Sequence, residues 1–213
     1  MPKLHKGILI AIEGIDGSGK STLAQNLSAL LQQQEFDTIL TKEPGSSELG
    51  KEIRHLIQTQ NIPLASRAEY LLFAADRAQH FAELIIPALE QKKLIISDRM
   101  SDSSLAYQGY GNGNDLAMLR TINSWTMNTI IPDITIFVQV PVAIALERAK
   151  KRGSLSAYEK REDFLHKVAH GFEELYKNRA DVIIVNGIES PENLTAQTYT
   201  AITQWIHTNN LLF

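Results

Sequence analysis

Gly14-Ile15-Asp16-Gly17-Ser18-Gly19-Lys20-Ser21 has a spacing that dictates a chemistry. It fits G-x-x-x-x-G-K-[ST], the P-loop signature, and lies between an apolar run from Gly7 and a helical pattern after Lys20, the strand and helix the motif requires. A strand reversing tightly into a helix turns successive backbone N–H groups inward. Glycines permit that path and let a polyphosphate approach the main chain. The helix beyond adds unpaired N–H groups and the positive end of its dipole. Lys20 is expected to reach the β/γ-phosphates and the Ser21 hydroxyl to hold Mg²⁺. Gly14 to Thr22 is thus read as the binding loop of a nucleotide triphosphate.

Three further groups carry charge or ligating atoms. Leu94 to Ser97 is a continuous apolar run ending in Asp98-Arg99. An acid there suits Mg²⁺ through water, because Mg²⁺ keeps several waters and needs few carboxylates; a helix cap is the plainer role for it. Arg99 offers a planar fork for a second phosphate. Arg148, Lys150, Lys151 and Arg152 end a helical pattern, where cations are favoured in any case; alternatively they belong to a lid that closes on the transferred phosphoryl group. His166 and His170 stand at i,i+4 without the Glu of H-E-x-x-H or an evident third ligand, so a solvated helix face is expected rather than a metal site. An acceptor phosphate already ionised at neutral pH needs positioning and charge neutralisation but no general base.

The elements that must position these groups alternate. Helical periodicity runs from Leu23 through about Gln34, and a short strand is expected from Phe36 to Thr41, followed by the Lys42-Glu43-Pro44-Gly45 turn. Ser46 or Ser47 is placed to cap a helix through Ile53, Leu56 and Ile57. A long helical pattern from about Pro63 to Gln91 is expected to kink or restart at Pro87. After the strand ending at Asp98, Ser101 to Asn114 reads as a polar segment with a flexible Gly109 to Gly113. A helix through Leu116, Leu119, Ile122, Trp125 and Met127 precedes a strand from Ile134 to Val140. Pro141 opens the helix that ends in the basic run and Gly153, a polar connector spans Ser154 to Glu159, and another helix ends near Asn178. Val182 to Val185 is a fifth strand, and Pro191 to His207 the last helix. The alternation calls for an α/β fold, a doubly wound five-stranded parallel sheet flanked by helices, with ligands at the carboxyl ends of the strands. Residues 1–213 are expected to form a single P-loop domain with a short lid at about 148–161.

Composition bounds the partners. With 21 basic against 24 acidic residues the formal charge is −3, so no electrostatic footprint for nucleic acid is expected. There are no cysteines, which excludes disulfides, thiolate metal sites and cysteine nucleophiles. Six mixed residues before the first strand leave no room for a secretory signal, and no apolar run approaches the ~20 residues of a membrane span. A cytoplasmic location is expected.

Gly14 to Thr22, Thr41-Lys42-Glu43-Pro44-Gly45, Leu72-Phe73-Ala74-Ala75-Asp76-Arg77, Asp98-Arg99 with Ala106-Tyr107-Gln108, and Pro132-Asp133 occur in an order and at intervals that resemble thymidylate kinase across nearly the whole chain. The resemblance implies transfer of the ATP γ-phosphate to dTMP with Mg²⁺, giving dTDP and ADP, by a homodimer. It implies that Phe73 stacks on thymine, Arg77 contacts the polar edge of the base, Arg99 holds the acceptor phosphate, Asp16 meets the sugar end, Tyr107 packs on the deoxyribose and Ser104 reaches the base. Glu43, Pro44, Arg54 and Gln108 complete the implied dTMP site. Lys20, Arg99, Arg148, Lys150 and Arg152 are the implied catalytic cations, Arg161 being a reserve.

Some positions depart from the family pattern. Gly17 removes the P-loop arginine of one branch, and Ala157 stands where the lid-arginine branch often has another. Met100, Ser46-Ser47 and Gln139 also differ. The nearest alternative is a kinase acting on another deoxynucleoside or its monophosphate. A nucleotide-dependent switch is a rival from another class, and it would need neither Phe73 nor Arg99.

Overall fold

The computed structural model describes residues 2–59, 63–153 and 158–212. Ser154 to Ala157, including the Ala157 position in the expected lid, lie outside the described residues. In chain order the elements are β1 (Ile8–Glu13), α1 (Lys20–Gln33), β2 (Thr38–Lys42), α2 (Glu48–Thr59), α3 (Ser66–His80), α4 (Ile86–Glu90), β3 (Leu94–Asp98), α5 (Ser101–Ser104), α6 (Leu116–Thr126), β4 (Ile134–Gln139), α7 (Val142–Lys151), α8 (Glu162–Tyr176), β5 (Val182–Asn186) and α9 (Pro191–Thr208). Two π-helical stretches, Phe81–Ile85 and Leu105–Gly111, join α3 to α4 and extend α5.

Among the described residues five parallel strands form one sheet in the order β2-β3-β1-β4-β5. β1 is central: Ile10 lies opposite Ile96 on one side and Ile134 on the other. Because side chains alternate across a strand, Ile8, Ile10 and Ile12 join α1 and α9 through Leu23, Leu27, Ile202 and Ile206. Leu9 and Ala11 face the other way and pack with Phe81, Ile85 and Met100. Burial on both faces explains why β1, β3 and β4 read as continuous apolar runs.

Capping follows the sequence in two places and departs elsewhere. Ser47 Oγ accepts from Gly50 N at 2.9 Å, whereas Ser46 Oγ turns back to Lys42 and Thr41. Ser190 caps α9, with Pro191 following at the first turn. The stretch from Ser101 to Asn114, expected as a polar segment with a flexible Gly109 to Gly113, is mostly helical up to Gly111. Its glycines and polar residues hid an inward face of Leu105, Ala106, Tyr107 and Gln108, all buried. The departure from α geometry begins at Phe81, ahead of Pro87, so the proline falls at the start of α4 and the bulge supplies the break.

Candidate active site

The P-loop turns on Gly14, Gly17 and Gly19, which all take positive φ. Gly17 has φ +78°, and a Cβ there would come within 2.3 Å of Ala145 O. No cation can therefore project from this position, and the charge over the loop comes from α7, where Arg148 Nη1 donates to Ser18 O at 3.3 Å. α1 starts at Lys20, whose buried Nζ donates to Ile15 O at 2.7 Å. Burial, with the nearby Arg99 charge adding to it, pushes the Lys20 ammonium down to about 8. Lys20 is thus held retracted and buried at the edge of the crevice, bonded to a carbonyl that a stronger acceptor could replace.

Ser21 Oγ donates to Asp98 Oδ2 at 2.5 Å, bringing the first turn of α1 to the end of β3. The other oxygen, Asp98 Oδ1, is buried with no hydrogen-bond partner among the described residues. A hydroxyl and a carboxylate with an unsatisfied oxygen form a donor set suited to Mg²⁺, which takes hard oxygen ligands and retains its waters.

Next to Asp98, Arg99 adopts φ +74°, a left-handed conformation uncommon for a residue with a side chain. Its guanidinium reaches four acceptors. Nη1 donates to Gly14 O at 3.0 Å and Ser103 Oγ at 2.8 Å, and Nη2 to Asp16 Oδ1 at 2.5 Å and Tyr107 Oη at 3.2 Å. The Tyr107 hydroxyl also accepts from Asp16 N at 2.9 Å. Burial tends to raise the Asp16 pKa, but Arg99 and then Lys20 outweigh it and hold the carboxyl below the usual range. Asp16 is therefore ionised, and it offsets part of the positive charge beside Lys20.

A second buried cluster surrounds Arg77 on α3. Arg77 is 1% exposed. Nε donates to Glu43 Oε2 at 2.8 Å, Nη1 to Asn123 Oδ1 at 2.7 Å and Nη2 to Ser104 Oγ at 3.0 Å. Of the five N–H donors of a guanidinium, two are then left for a ligand. Glu43 Oε1 meets His80 Nδ1 at 3.1 Å. Burial alone would raise the Glu43 pKa, but Arg77 and His80 hold it below the ordinary value. Asp76, in contrast, is pushed up to about 6 by burial and the neighbouring Glu43.

These groups surround one crevice of about 1110 Å³. Asp16, Gly17, Gly19, Lys20, Ser21 and Thr22 line its P-loop side, and Asp98 and Arg99 its centre. Glu43, Pro44, Arg54, Phe73, Arg77, Ser104, Tyr107 and Gln108 line the other end, with Arg148 and Arg152 over it. Arg54 is fixed by donating from Nη1 to Pro44 O at 3.0 Å, and the Glu43-Pro44 peptide is cis. Gln108 Nε2 donates to Glu69 Oε1 at 2.9 Å. Gly14, Ile15 and Ser18 stay beneath the surface of the loop and give their carbonyls to Arg99, Lys20 and Arg148. Lys150 is exposed on α7 and does not line the crevice. Arg161 lies over the Phe164 ring, 4.5 Å from its centroid, also away from the crevice. His166 is exposed and His170 lies edge-on to Tyr110; among the described residues no His/Asp/Glu group is arranged to hold a metal through three such side chains.

Several site residues escaped the sequence reading. Tyr158 and Glu159, in the connector, line the crevice: Glu159 takes Arg152 Nη2 through both oxygens at 2.9 Å, and Tyr158 Oη donates to Glu69 Oε1 at 2.5 Å. Asn123 was hidden among the apolar positions of α6. Glu13 gave a usable signal, a carboxylate closing an otherwise apolar central strand, where an unpartnered charge would be very costly.

A crevice that sets a P-loop beside a buried arginine fork has a shape common to several phosphotransferases. The family model described as thymidylate kinase matches residues 12–198. The chain belongs to the thymidylate kinase family. Its relatives include thymidylate kinases of Halothermothrix orenii, 48% identical over 68% of this chain and 70% of that protein, and of Carboxydothermus hydrogenoformans, 40% identical over 89% and 93%. The thymidylate kinase of Desulfovibrio desulfuricans is 39% identical over 93% and 96%. A solved thymidylate kinase from Ehrlichia chaffeensis superposes with a TM-score of 0.75 at 30% identity, covering 92% of this chain and 98% of that one.

Proposed function

We propose that this thymidylate kinase transfers the γ-phosphate of ATP to dTMP, giving dTDP and ADP for dTTP synthesis, and that the residues around the crevice divide the work as follows. The P-loop amides and Lys20 hold the donor phosphates. Arg99 holds the acceptor phosphate, Tyr107 packs on the deoxyribose near Asp16, Phe73 covers the base, and the two unused N–H groups of Arg77 meet a carbonyl on its edge. An oxygen of the dTMP phosphate forms a bond to Pγ while the bond from Pγ to the β–γ bridging oxygen breaks, and the electrons of that bond leave with ADP. The attacking oxygen is already ionised, so no general base is required.

Ser21 and Asp98 would hold Mg²⁺, the latter through water; when bound, the ion neutralises charge on the β- and γ-oxygens. Arg148 and Arg152 supply positive charge to the transferring group from a lid at about 148–161 of a single 1–213 domain. Lys150, exposed on α7, has a lesser part in this arrangement.

The observation that carries the proposal is the Arg99 guanidinium, which touches the P-loop at Gly14 O and Asp16 while lining the same crevice as Phe73 and Arg77. ADP release from Mg·ATP should be strict in its demand for dTMP when dTMP, dUMP, dCMP and dAMP are compared. ADP production without an acceptor, or equal rates with dCMP, would overturn the reading.

We further propose a cytoplasmic homodimer. α3 and α6 leave Leu71, Met118 and Trp125 exposed, Trp125 by 80%, and an apolar face of that kind matches a self-complementary interface. Trp125→Glu should convert a dimer to a monomer in sedimentation equilibrium; an unchanged mass would place the interface elsewhere.

A further inference from the structure

Glu13 is a carboxylate at the end of the central strand, 0% exposed and absent from the crevice lining. Its oxygens are fully engaged on one segment. Oε1 accepts from Met100 N at 2.8 Å and Ser103 N at 3.2 Å, and Oε2 accepts from Ser103 Oγ at 2.5 Å. Ser103 Oγ in turn accepts from Arg99 Nη1 at 2.8 Å. The backbone around Arg99 is tied on both sides as well: Arg99 N donates to Ile12 O at 2.9 Å, and Arg99 O accepts from Ser97 Oγ at 2.7 Å. A side-chain-bearing residue keeps φ +74° only where its surroundings over-determine it. Glu13 supplies the part of that restraint that reaches both the peptide following Arg99 and the tip of its guanidinium.

We propose that Glu13 is a positioning residue for phosphoryl acceptance: through Met100 N and Ser103 it holds the left-handed Arg99 turn and aims the guanidinium at the acceptor phosphate. The inference rests on the reading of Arg99 as the group that holds that phosphate. A plain cap for α5 would satisfy the two N–H groups but would not require the second oxygen to engage the hydroxyl that receives Arg99.

The test is a double-mutant cycle between Glu13→Ala and Arg99→Ala, with kcat/KM for dTMP at saturating ATP and ATP affinity by equilibrium titration. Glu13→Ala should lower kcat/KM for dTMP by about tenfold or more, within the range of coupled neighbours, and leave ATP affinity within about twofold. Glu13→Gln, which keeps an acceptor oxygen, should recover most of the loss. In the Arg99→Ala background Glu13→Ala should cost less than about twofold more, because its effect passes through a side chain already removed. The same tenfold loss in both backgrounds, or a parallel fall in ATP affinity, would overturn the assignment. If Glu13→Ala does not fold, Ser103→Ala replaces it in the cycle with the same expected non-additivity. If Arg99→Ala alone leaves dTMP turnover unchanged, the acceptor-phosphate reading fails, whereas additivity with an impaired Arg99→Ala enzyme refutes only the role of Glu13.

Discussion

Arg99 Nη2 and Asp16 Oδ1 stand 2.5 Å apart, so the residue after β3 and the acid inside the P-loop form one ion pair on the wall of the crevice. The pair fixes the guanidinium beside the P-loop, and the Asp16 charge offsets part of the repulsion between Arg99 and Lys20. Arg99→Ala should lower kcat with dTMP by roughly 10²–10³, the range for loss of one preorganised group facing developing charge. ATP affinity should stay within about twofold, since the P-loop amides and Lys20 remain. Turnover equal to wild type in a coupled ADP assay would remove Arg99 from the acceptor site.

Phe73 is half-buried on α3 and lines the end of the crevice proposed to take dTMP. Loss of a stacking aromatic costs about 1–3 kcal/mol per base. Phe73→Ala should therefore raise KM for dTMP by between about fivefold and a hundredfold, with kcat less affected. A KM that does not move would assign Phe73 to packing.

Glu43 and Arg77 are a buried pair, and removing one partner leaves an uncompensated charge. Arg77→Met should destabilise the fold by about 3–5 kcal/mol and also erode selectivity for dTMP over dCMP. Glu43→Gln added to Arg77→Met should restore part of the melting temperature and none of the selectivity. Recovery of both together would mean that Arg77 supports the fold without reading the base.

Lys20, lowered to about 8 by burial and Arg99, gives ATP binding a proton signature. At pH 8 about half of the free enzyme carries the neutral amine, and the β/γ-phosphates raise its pKa, so binding takes up about half a proton. At pH 6.5 the site is already charged and the Lys20 contribution vanishes. Calorimetry in buffers of different ionisation enthalpy measures this uptake after subtraction of the ATP contribution. Uptake that does not grow between pH 6.5 and pH 8 would contradict a depressed Lys20.

The fold and the donor site were legible because both rest on local patterns. Buried strands such as Leu94 to Ser97 announce themselves as apolar runs, and the P-loop is a contiguous motif. Asp98 and Arg99 were legible as an acid and a planar fork closing an apolar strand, whereas Phe73, Arg77 and Tyr107 were legible only in the light of a family pattern, since the crevice they share is assembled from segments far apart in the chain. Glu13 and Asn123 were not found because each contributes through a partner remote in sequence, Ser103 and Arg77; Glu159 was missed because it lies in a polar connector without periodicity, although its partner Arg152 is close in the chain. The Ser101 to Gly111 helix was missed because its period departs from 3.6 in the π-helical stretch that carries Tyr107 and Gln108.

That donor and acceptor lie side by side in one crevice is tested most directly by titrating the enzyme with adenosine and thymidine joined 5′ to 5′ through five phosphates. One molecule per chain should bind, displacing both ATP and dTMP, with a Kd at least about 100-fold below that of either nucleotide, as linked ligands achieve when both halves engage. Two molecules per chain, or an affinity no tighter than that for ATP, would contradict the shared crevice.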